Sequence, residues 1–345
     1  MKKSVSMQIK IAVWLLIAGG FFAYFIYYQV SNNLDDSVLS SQEKSNEEFF
    51  YSNLNGVRVD KENNDLLPVA VMIENHIDSR PPAGLVQAKI VYEILTEATI
   101  TRFLAVYDLS ENLKKIGPVR SARPYFIDLA GEYGALYAHS GGSPAALSRL
   151  KSDDFILNLD EFFGYNSGYF WRDDKRSAPH NLYTSSSLLS EAKNNYQLLT
   201  KPDFIPWKFK DGSSAKDNVP EIKINYSETL SHQVVWKYLK DSNKYERWQS
   251  NKRHVDEEGN IIEADNVIIQ YAKTKTLDEI GRKDIDLIGE GQTLIFLDGL
   301  AIKGKWSKDS VTTRTIFYDE SGKEIEFNRG QIWIEVVPIN LEISY

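Results

Sequence analysis

Three observations predict the fold class. Apolar strand-like runs alternate with helical spacing over residues 67–200, strict period-two runs dominate from residue 221 onward, and one uncharged apolar run lies near the N-terminus. Together they predict an α/β or α+β domain followed by a β-rich domain, both held outside a membrane by one transmembrane helix. The 345 residues are 42% hydrophobic and 26% charged, an ordinary globular balance that excludes wholesale disorder and a polytopic membrane protein. With no cysteine and five histidines, the chain has no disulfide, no thiolate metal site, no cysteine nucleophile and no cysteine to carry a lipid. The net charge of −8 argues against a nucleic-acid partner.

Residues 1–10 read as a cytoplasmic tail, and residues 11–28 (IAVWLLIAGGFFAYFIYY) as the anchor, an uncharged run of 18 at the short end of a membrane span. Lys2, Lys3 and Lys10 precede it and no acid appears before Asp35, so the positive-inside rule puts the N-terminus in the cytoplasm and the rest outside. A cleavable signal peptide would show a small-x-small cleavage pattern, whereas Tyr27, Tyr28, Gln29 and Val30 follow here; an uncleaved anchor with an interfacial aromatic belt fits better. Residues 29–66, rich in Ser, Asn, Asp and Glu, read as an acidic flexible stalk.

At Leu67 the composition changes. Residues 68–73, 90–95, 101–107 and 135–139 are short apolar runs and predicted strands, residues 125–133 have helical spacing, and a Ser-Gly-Gly-Ser-Pro loop opens a helix that runs through Leu150. Pro202, Pro206, Gly212 and Pro220 mark 201–220 as a connection between domains. From there to residue 345 strands are predicted at 222–226, 234–238, 267–271, 292–297 and 331–337, with turn signals at 257–260, 298–299 and 320–322. The aromatics of this half, Trp236, Tyr238, Tyr245, Trp248, Trp306 and Trp333, fit a β-domain core better than a sugar-binding platform.

The polar motifs lie in the first domain. Glu74-Asn75-His76 ends the first strand, Thr101-Arg102 begins the third, Arg120 and Arg123 flank Ser121, His139-Ser140-Gly141-Gly142 leads into a helix, and Arg172 is followed by His180-Asn181. Strand ends and helix starts converge on one crevice in open α/β sheets, and the arginine fork matches phosphate or carboxylate. These residues therefore form a candidate anion pocket. Arg102, Arg120, Arg123 and Arg172 would contact the anion, and the Gly141-Gly142 backbone would approach it closely. His139, Glu74 and His180 would position the group or shuttle protons, with Ser121, Ser140 and Asn181 beside them. The competing reading makes the arginines ion-pair partners that hold the domain together. Glu74 and Glu93 could hold a divalent cation with Asn75 or His76, but a buried hydrogen-bonded carboxylate fits these residue types better. No cofactor is assigned, no nucleophile elbow surrounds any serine, and the Gly-Gly loop lacks the Gly-Lys-Ser/Thr of a phosphate loop.

Several motifs resemble the YerB family of bacterial envelope proteins: LPVAVMIENH at 67–76, SRPP from Ser79, TRFL at 101–104, IGPVRSAR at 116–123, HSGGS at 139–143 and APHNLYT at 178–184. Later segments agree, namely Tyr245-Glu246-Arg247, His254 with Asp256, Asn266-Val267, Gly304 to Lys308 and GQIWI at 330–334. The resemblance implies a two-part domain of unknown biochemical function, usually carried on a lipid-modified cysteine, which this chain replaces with a transmembrane helix. A shorter similarity in motif order, to LytR–CpsA–Psr wall-polymer transferases, would make Arg102, Arg120 and Arg123 grip a phosphate; as a fold-level analogy it carries no activity. The expected function is therefore a membrane-anchored extracytoplasmic protein that binds a phosphate-bearing or lipid-linked wall-related ligand. The alternative is a non-catalytic partner of wall-synthesis or division proteins.

Overall fold

A computed structural model describes Met7 and residues 12–17, 19–31, 49–198, 204–213, 219–227 and 230–345. Most of the expected cytoplasmic tail, residues 32–48 of the expected stalk and part of the 201–220 connection lie outside the described residues. The chain divides into two units, Met1–Phe49 and Phe50–Tyr345. The first contains helix α1 (Ala12–Ser31), 20 residues with a mean hydropathy of 1.5, long and apolar enough to cross a membrane.

The second unit is β-rich, with three short α-helices among the described residues. β1 (Phe50–Tyr51) and β2 (Arg58–Val59) form a hairpin. Next come β3 (Val69–Glu74), β4 (Ile90–Glu97), β5 (Ile100–Tyr107), α2 (Pro124–Gly131), β6 (Leu136–His139), α3 (Pro144–Ser152) and β7 (Leu157–Asp160). A ribbon of β8 (Trp171–Arg172) and β9 (Leu182–Tyr183) precedes α4 (Ser186–Asn195) and β10 (Lys208–Lys210). The second half holds β11 (Glu221–Asn225), β12 (Gln233–Leu239), β13 (Lys244–Gln249), β14 (Lys252–Arg253) and β15 (Glu263–Ala264). It continues through β16 (Asn266–Thr276), β17 (Lys283–Asp286), β18 (Gly289–Leu297), β19 (Leu300–Lys308), β20 (Ile316–Asp319), β21 (Glu326–Asn328), β22 (Ile332–Pro338) and β23 (Ile343–Ser344).

Local chemistry accounts for the helix starts. Pro124 and Pro144 open α2 and α3, where a missing N–H costs nothing. Ser143 and Ser185 cap α3 and α4 by accepting from Ala146 N and Leu188 N, each at 3.3 Å.

The large sheet runs β20-β19-β18-β16-β22-β4-β5-β3-β6-β7, with β17 on β16. Every residue of β3 is buried because both faces of the sheet are covered. Val69, Val71 and Ile73 pack with Ile222, Ile224 and Trp236 of the smaller sheet β14-β13-β12-β11-β23 and with Leu189 and Ala192 of α4. Ala70 and Met72 pack with Phe126, Ile127 and Leu129 of α2 and Ala146 and Leu150 of α3.

The segments on either side of 201–220 share this sheet. β22 pairs in parallel with β4, Ile332 opposite Ile90 through Val336 opposite Ile94, and with β16 on its other edge. β4 is buried on both faces and needs a neighbour at each edge; the second half of the chain supplies one. The connection itself packs, with Trp207 buried and β10 paired to β21. The expected stalk is also shorter than 29–66, since the folded unit starts at Phe50 and buries Leu54.

Where the two sheets meet, Glu93 of β4 pairs with Arg247 of β13, and neither side chain is exposed. Glu93 Oε1 also accepts from Asn75 Nδ2 at 3.1 Å and Thr101 Oγ1 at 2.7 Å. Arg247 meets His254 Nδ1 and lies over Trp333, 5.0 Å from its ring centre. Burial, followed by the charges of Arg247 and Arg80, holds His254 far below the usual histidine range. Glu335 stands opposite Glu93 in the ladder and accepts from Trp236 Nε1 at 2.8 Å. Burial and then the Glu93 charge push its carboxyl from 4.5 up to about 8.

Arg247→Met leaves the Glu93 carboxylate buried without its cation. Denaturant unfolding at pH 7 should show a loss of roughly 3–5 kcal/mol. Glu335 gives a second prediction. Its folded form holds a proton that the unfolded chain releases, so its contribution is complete below about 4.5 and is lost as pH rises towards about 8. Glu335→Gln should remove that decline from a stability–pH profile while the fold is retained.

Candidate functional site

β3, β6 and β7 are parallel, so Glu74, His139 and Asp160 end at one edge of the large sheet. β5 is antiparallel and begins there, with Arg102 opposite Glu74. Residues 116–123 cross this edge and bind it together. Arg120 N donates to Met72 O at 2.9 Å, Ser140 N to Arg120 O at 3.1 Å, Ala122 N to Gly141 O at 2.9 Å and Val119 N to Leu182 O at 2.6 Å. The motifs thus come together, but their side chains divide into three groups.

In the first group Glu97 bridges Arg102 and Arg123. Arg102 Nη1 donates to Ser121 O at 3.0 Å and Arg123 Nη1 to Ala122 O at 2.6 Å. Burial, followed by the Arg123 charge, lowers Arg102 to about 10. Against the upward push of burial, the two guanidiniums hold Glu97 below the usual carboxylate range. Both arginines, expected to touch a ligand, are buried and spend their forks within the protein; Ser121 takes part through its carbonyl.

The second group surrounds the Gly-Gly loop. His139 is fully buried, with Nδ1 2.8 Å from Gly141 O and Nε2 2.8 Å from Asn158 Oδ1. Burial lowers its pKa, so a neutral ring pins the loop. Gly141 has a φ of 61°, a left-handed conformation natural to glycine, and its N–H donates to Asp160 Oδ1 at 2.8 Å. That N–H belongs to the Gly141-Gly142 backbone expected to approach the anion, and a carboxylate already holds it. Gly142 bridges to Ala122. Ser140 Oγ donates to Glu161 Oε2 at 2.7 Å. Arg172 lies 3.5 Å from Glu161 and donates to Asn181 Oδ1 at 3.1 Å. Asn181 in turn donates to the carbonyls of Asp173 and Arg176.

The third group differs. Buried Glu74 meets Arg120 Nε at 2.9 Å through Oε1 and His180 Nδ1 at 2.8 Å through Oε2. The Arg120 side chain is 23% exposed, and its two Nη groups have no protein partner among the described residues. The His180 ring stacks on His76, centres 5.0 Å apart and planes 15° apart. His76 accepts from Asp78 N at 3.3 Å within a short turn. Glu74 and Glu93, considered together from sequence, belong to different clusters: Glu74 faces Arg120 and His180, Glu93 faces Arg247.

Sequence reasoning missed Glu97 and Asp78. The signal for Glu97 is an acid five residues before Arg102 across a tight hairpin; for Asp78 it is an acid two residues after His76. The second-half aromatics Trp236, Tyr245, Trp306 and Trp333 are buried and offer no platform to a ligand.

Residues 54–198 match the N-terminal domain, and residues 222–334 the C-terminal domain, of the family described as "Protein of unknown function (DUF3048)". The chain is 31% identical over 331 residues to a Bacillus subtilis (strain 168) protein described as "Putative lipoprotein YerB", covering 94% of this chain and 95% of that one. The crystal structure of YerB protein from Bacillus subtilis superposes with a TM-score of 0.76 at 31% identity, covering 86% of this chain and 100% of that one.

The Glu97 cluster generates a prediction. Glu97→Gln removes the anion shared by two buried guanidiniums and should destabilise the protein by roughly 3 kcal/mol at pH 7, the low end for breaking a buried pair. The measurement is chemical denaturation of both proteins side by side.

Proposed function

The chain belongs to the DUF3048 family, and on that premise we propose that it is a membrane-tethered bacterial envelope protein whose Arg120–Glu74–His180 cluster binds a phosphate-bearing, lipid-linked ligand. The observation that carries the reading is Arg120. Glu74, itself 3% exposed, pairs with the guanidinium 2.9 Å from Nε, and no described residue takes the two Nη groups, the planar fork that matches two phosphate oxygens. The other three arginines of the expected cleft are paired elsewhere, Arg102 and Arg123 with Glu97 between them and Arg172 with Glu161. The site is accordingly narrower than an arginine-lined cleft.

Two further features support the reading. Phe162 packs against Gly141, and Phe162, Phe163 and Tyr165 are 72%, 69% and 97% exposed. Such an aromatic patch, on the loop whose Ser140 N donates to Arg120 O, suits the apolar part of a lipid-linked ligand. Helix α1 supplies the tether, in the role a lipid plays for a lipoprotein relative. Lys2, Lys3 and Lys10 before it favour a cytoplasmic N-terminus and an extracytoplasmic folded unit.

The test is thermal unfolding of the full chain in detergent with phosphate, pyrophosphate and a polyprenyl pyrophosphate analogue. A ligand at about 100 times its dissociation constant should stabilise the protein by roughly 2.7 kcal/mol. Arg120→Ala, in which His180 still holds Glu74, should remain folded at some cost in stability and lose the shift, while Arg172→Ala should keep it. No shift with any of the three compounds, or a shift that survives Arg120→Ala, overturns the reading.

A further inference from the structure

His76, Asp78 and His180 each offer one ligand atom, and these atoms all lie within 4.8 Å of one another. Three features make this more than a chance meeting of polar groups. His180 Nδ1 is held by Glu74 Oε2 at 2.8 Å; a donor on Nδ1 leaves the lone pair on Nε2, the tautomer a metal needs, with a carboxylate behind the ring. Glu74 is buried at 3% exposure, so the support is fixed while the ligand atoms stay within reach of solvent. The segments that carry the ligands are also tied together. Arg176, four residues before His180, donates through Nη1 to Ser79 O and through Nη2 to Pro81 O at 2.7 Å, and Ser79 N and Oγ both return to His76 O.

We propose that His76, Asp78 and His180 bind one divalent transition-metal ion of the zinc class. Two imidazoles and one carboxylate are the donor set that suits such ions, and three protein ligands leave coordination positions open. Glu74 joins the two groups, with Oε1 on Arg120 and Oε2 on His180, so the guanidinium is one carboxylate away from a ligand of the metal. The inference deepens the proposed anion site: metal and Arg120 would take oxygens of one phosphate group. Metal binding itself does not depend on that reading.

The experiment titrates the full chain in detergent with Zn²⁺ by calorimetry and with Co²⁺ by visible absorption, with no phosphate present. One equivalent should bind with a cobalt ligand-field spectrum. His180→Ala and Asp78→Asn should each weaken binding at least tenfold; Asp78 is 67% exposed, so the second variant tests the site without disturbing the fold. Glu74→Gln should weaken it about 10–100-fold through loss of the support behind His180. Equal affinity in the wild type and in His180→Ala and Asp78→Asn overturns the metal site. A phosphate shift that needs Arg120 but persists in excess chelator upholds the anion reading and overturns the joint role of the metal.

Discussion

The Glu93–Arg247 pair is the contact on which the arrangement depends. Glu93 sits in β4, near the middle of the large sheet, and Arg247 in β13 of the smaller one. With both side chains at zero exposure, a displacement of one sheet against the other would leave two charges without water or partner. A buried pair of this kind adds little net stability over apolar packing; what it does is penalise every other register. The network also reaches the candidate site. Asn75 donates to Glu93 and accepts from Arg80 Nε at 3.0 Å, and Asn75 lies between Glu74 and His76. The position of the His76–Asp78 turn is therefore set partly by charges in the core.

The opposite face of the large sheet repeats the device. Glu132, at the end of α2, accepts from Thr315 N at 2.6 Å and lies 3.3 Å from Lys308 and 3.5 Å from Arg314. Against burial, Lys308 and Arg314 hold it below the usual carboxylate range. Arg314 lies 3.7 Å from the Trp207 ring centre and 4.2 Å from that of Tyr133. Each face of the sheet thus carries one buried charge cluster in which acids of the first half meet cations of the second. Two halves recognisable as separate domains of one family are held together because the first half's buried Glu93 and Glu132 find cations in the second.

This explains what the sequence could and could not disclose. Strands β3, β4, β5 and β6 were legible because apolar runs of this length, bounded by turn residues, have few other uses. Helix α2 was legible through the helical spacing of residues 125–133, and α3 through the loop that ends at Pro144. The partner of β4 was not. Period-two patterning identifies a strand but not the edge it pairs with, and β22 lies more than 230 residues further along the chain. The arginines show the same limit. Arg102, Arg120, Arg123 and Arg172 look alike in sequence, and their convergence on one edge was readable from strand ends. Which of them keeps a free fork depends on the acids Glu97, Glu74 and Glu161 opposite them, and that is a matter of register.

The charge at this edge constrains the kind of ligand that fits the proposed site. Glu97 offsets one of the two cations it bridges, Glu161 offsets Arg172, and Glu74 offsets Arg120. The edge is thus close to neutral within a chain of net charge −8, and long-range attraction for a polyanion is absent. Recognition has to come from short-range geometry, a fixed fork matched to one group. A cation on His76, Asp78 and His180 would change that balance one carboxylate away from Arg120, because the three ligands set a single carboxylate charge against the two charges of the ion. A divalent ion there leaves the cluster net positive. In this reading the metal makes the edge attractive to phosphate, and Arg120 selects the orientation in which it binds.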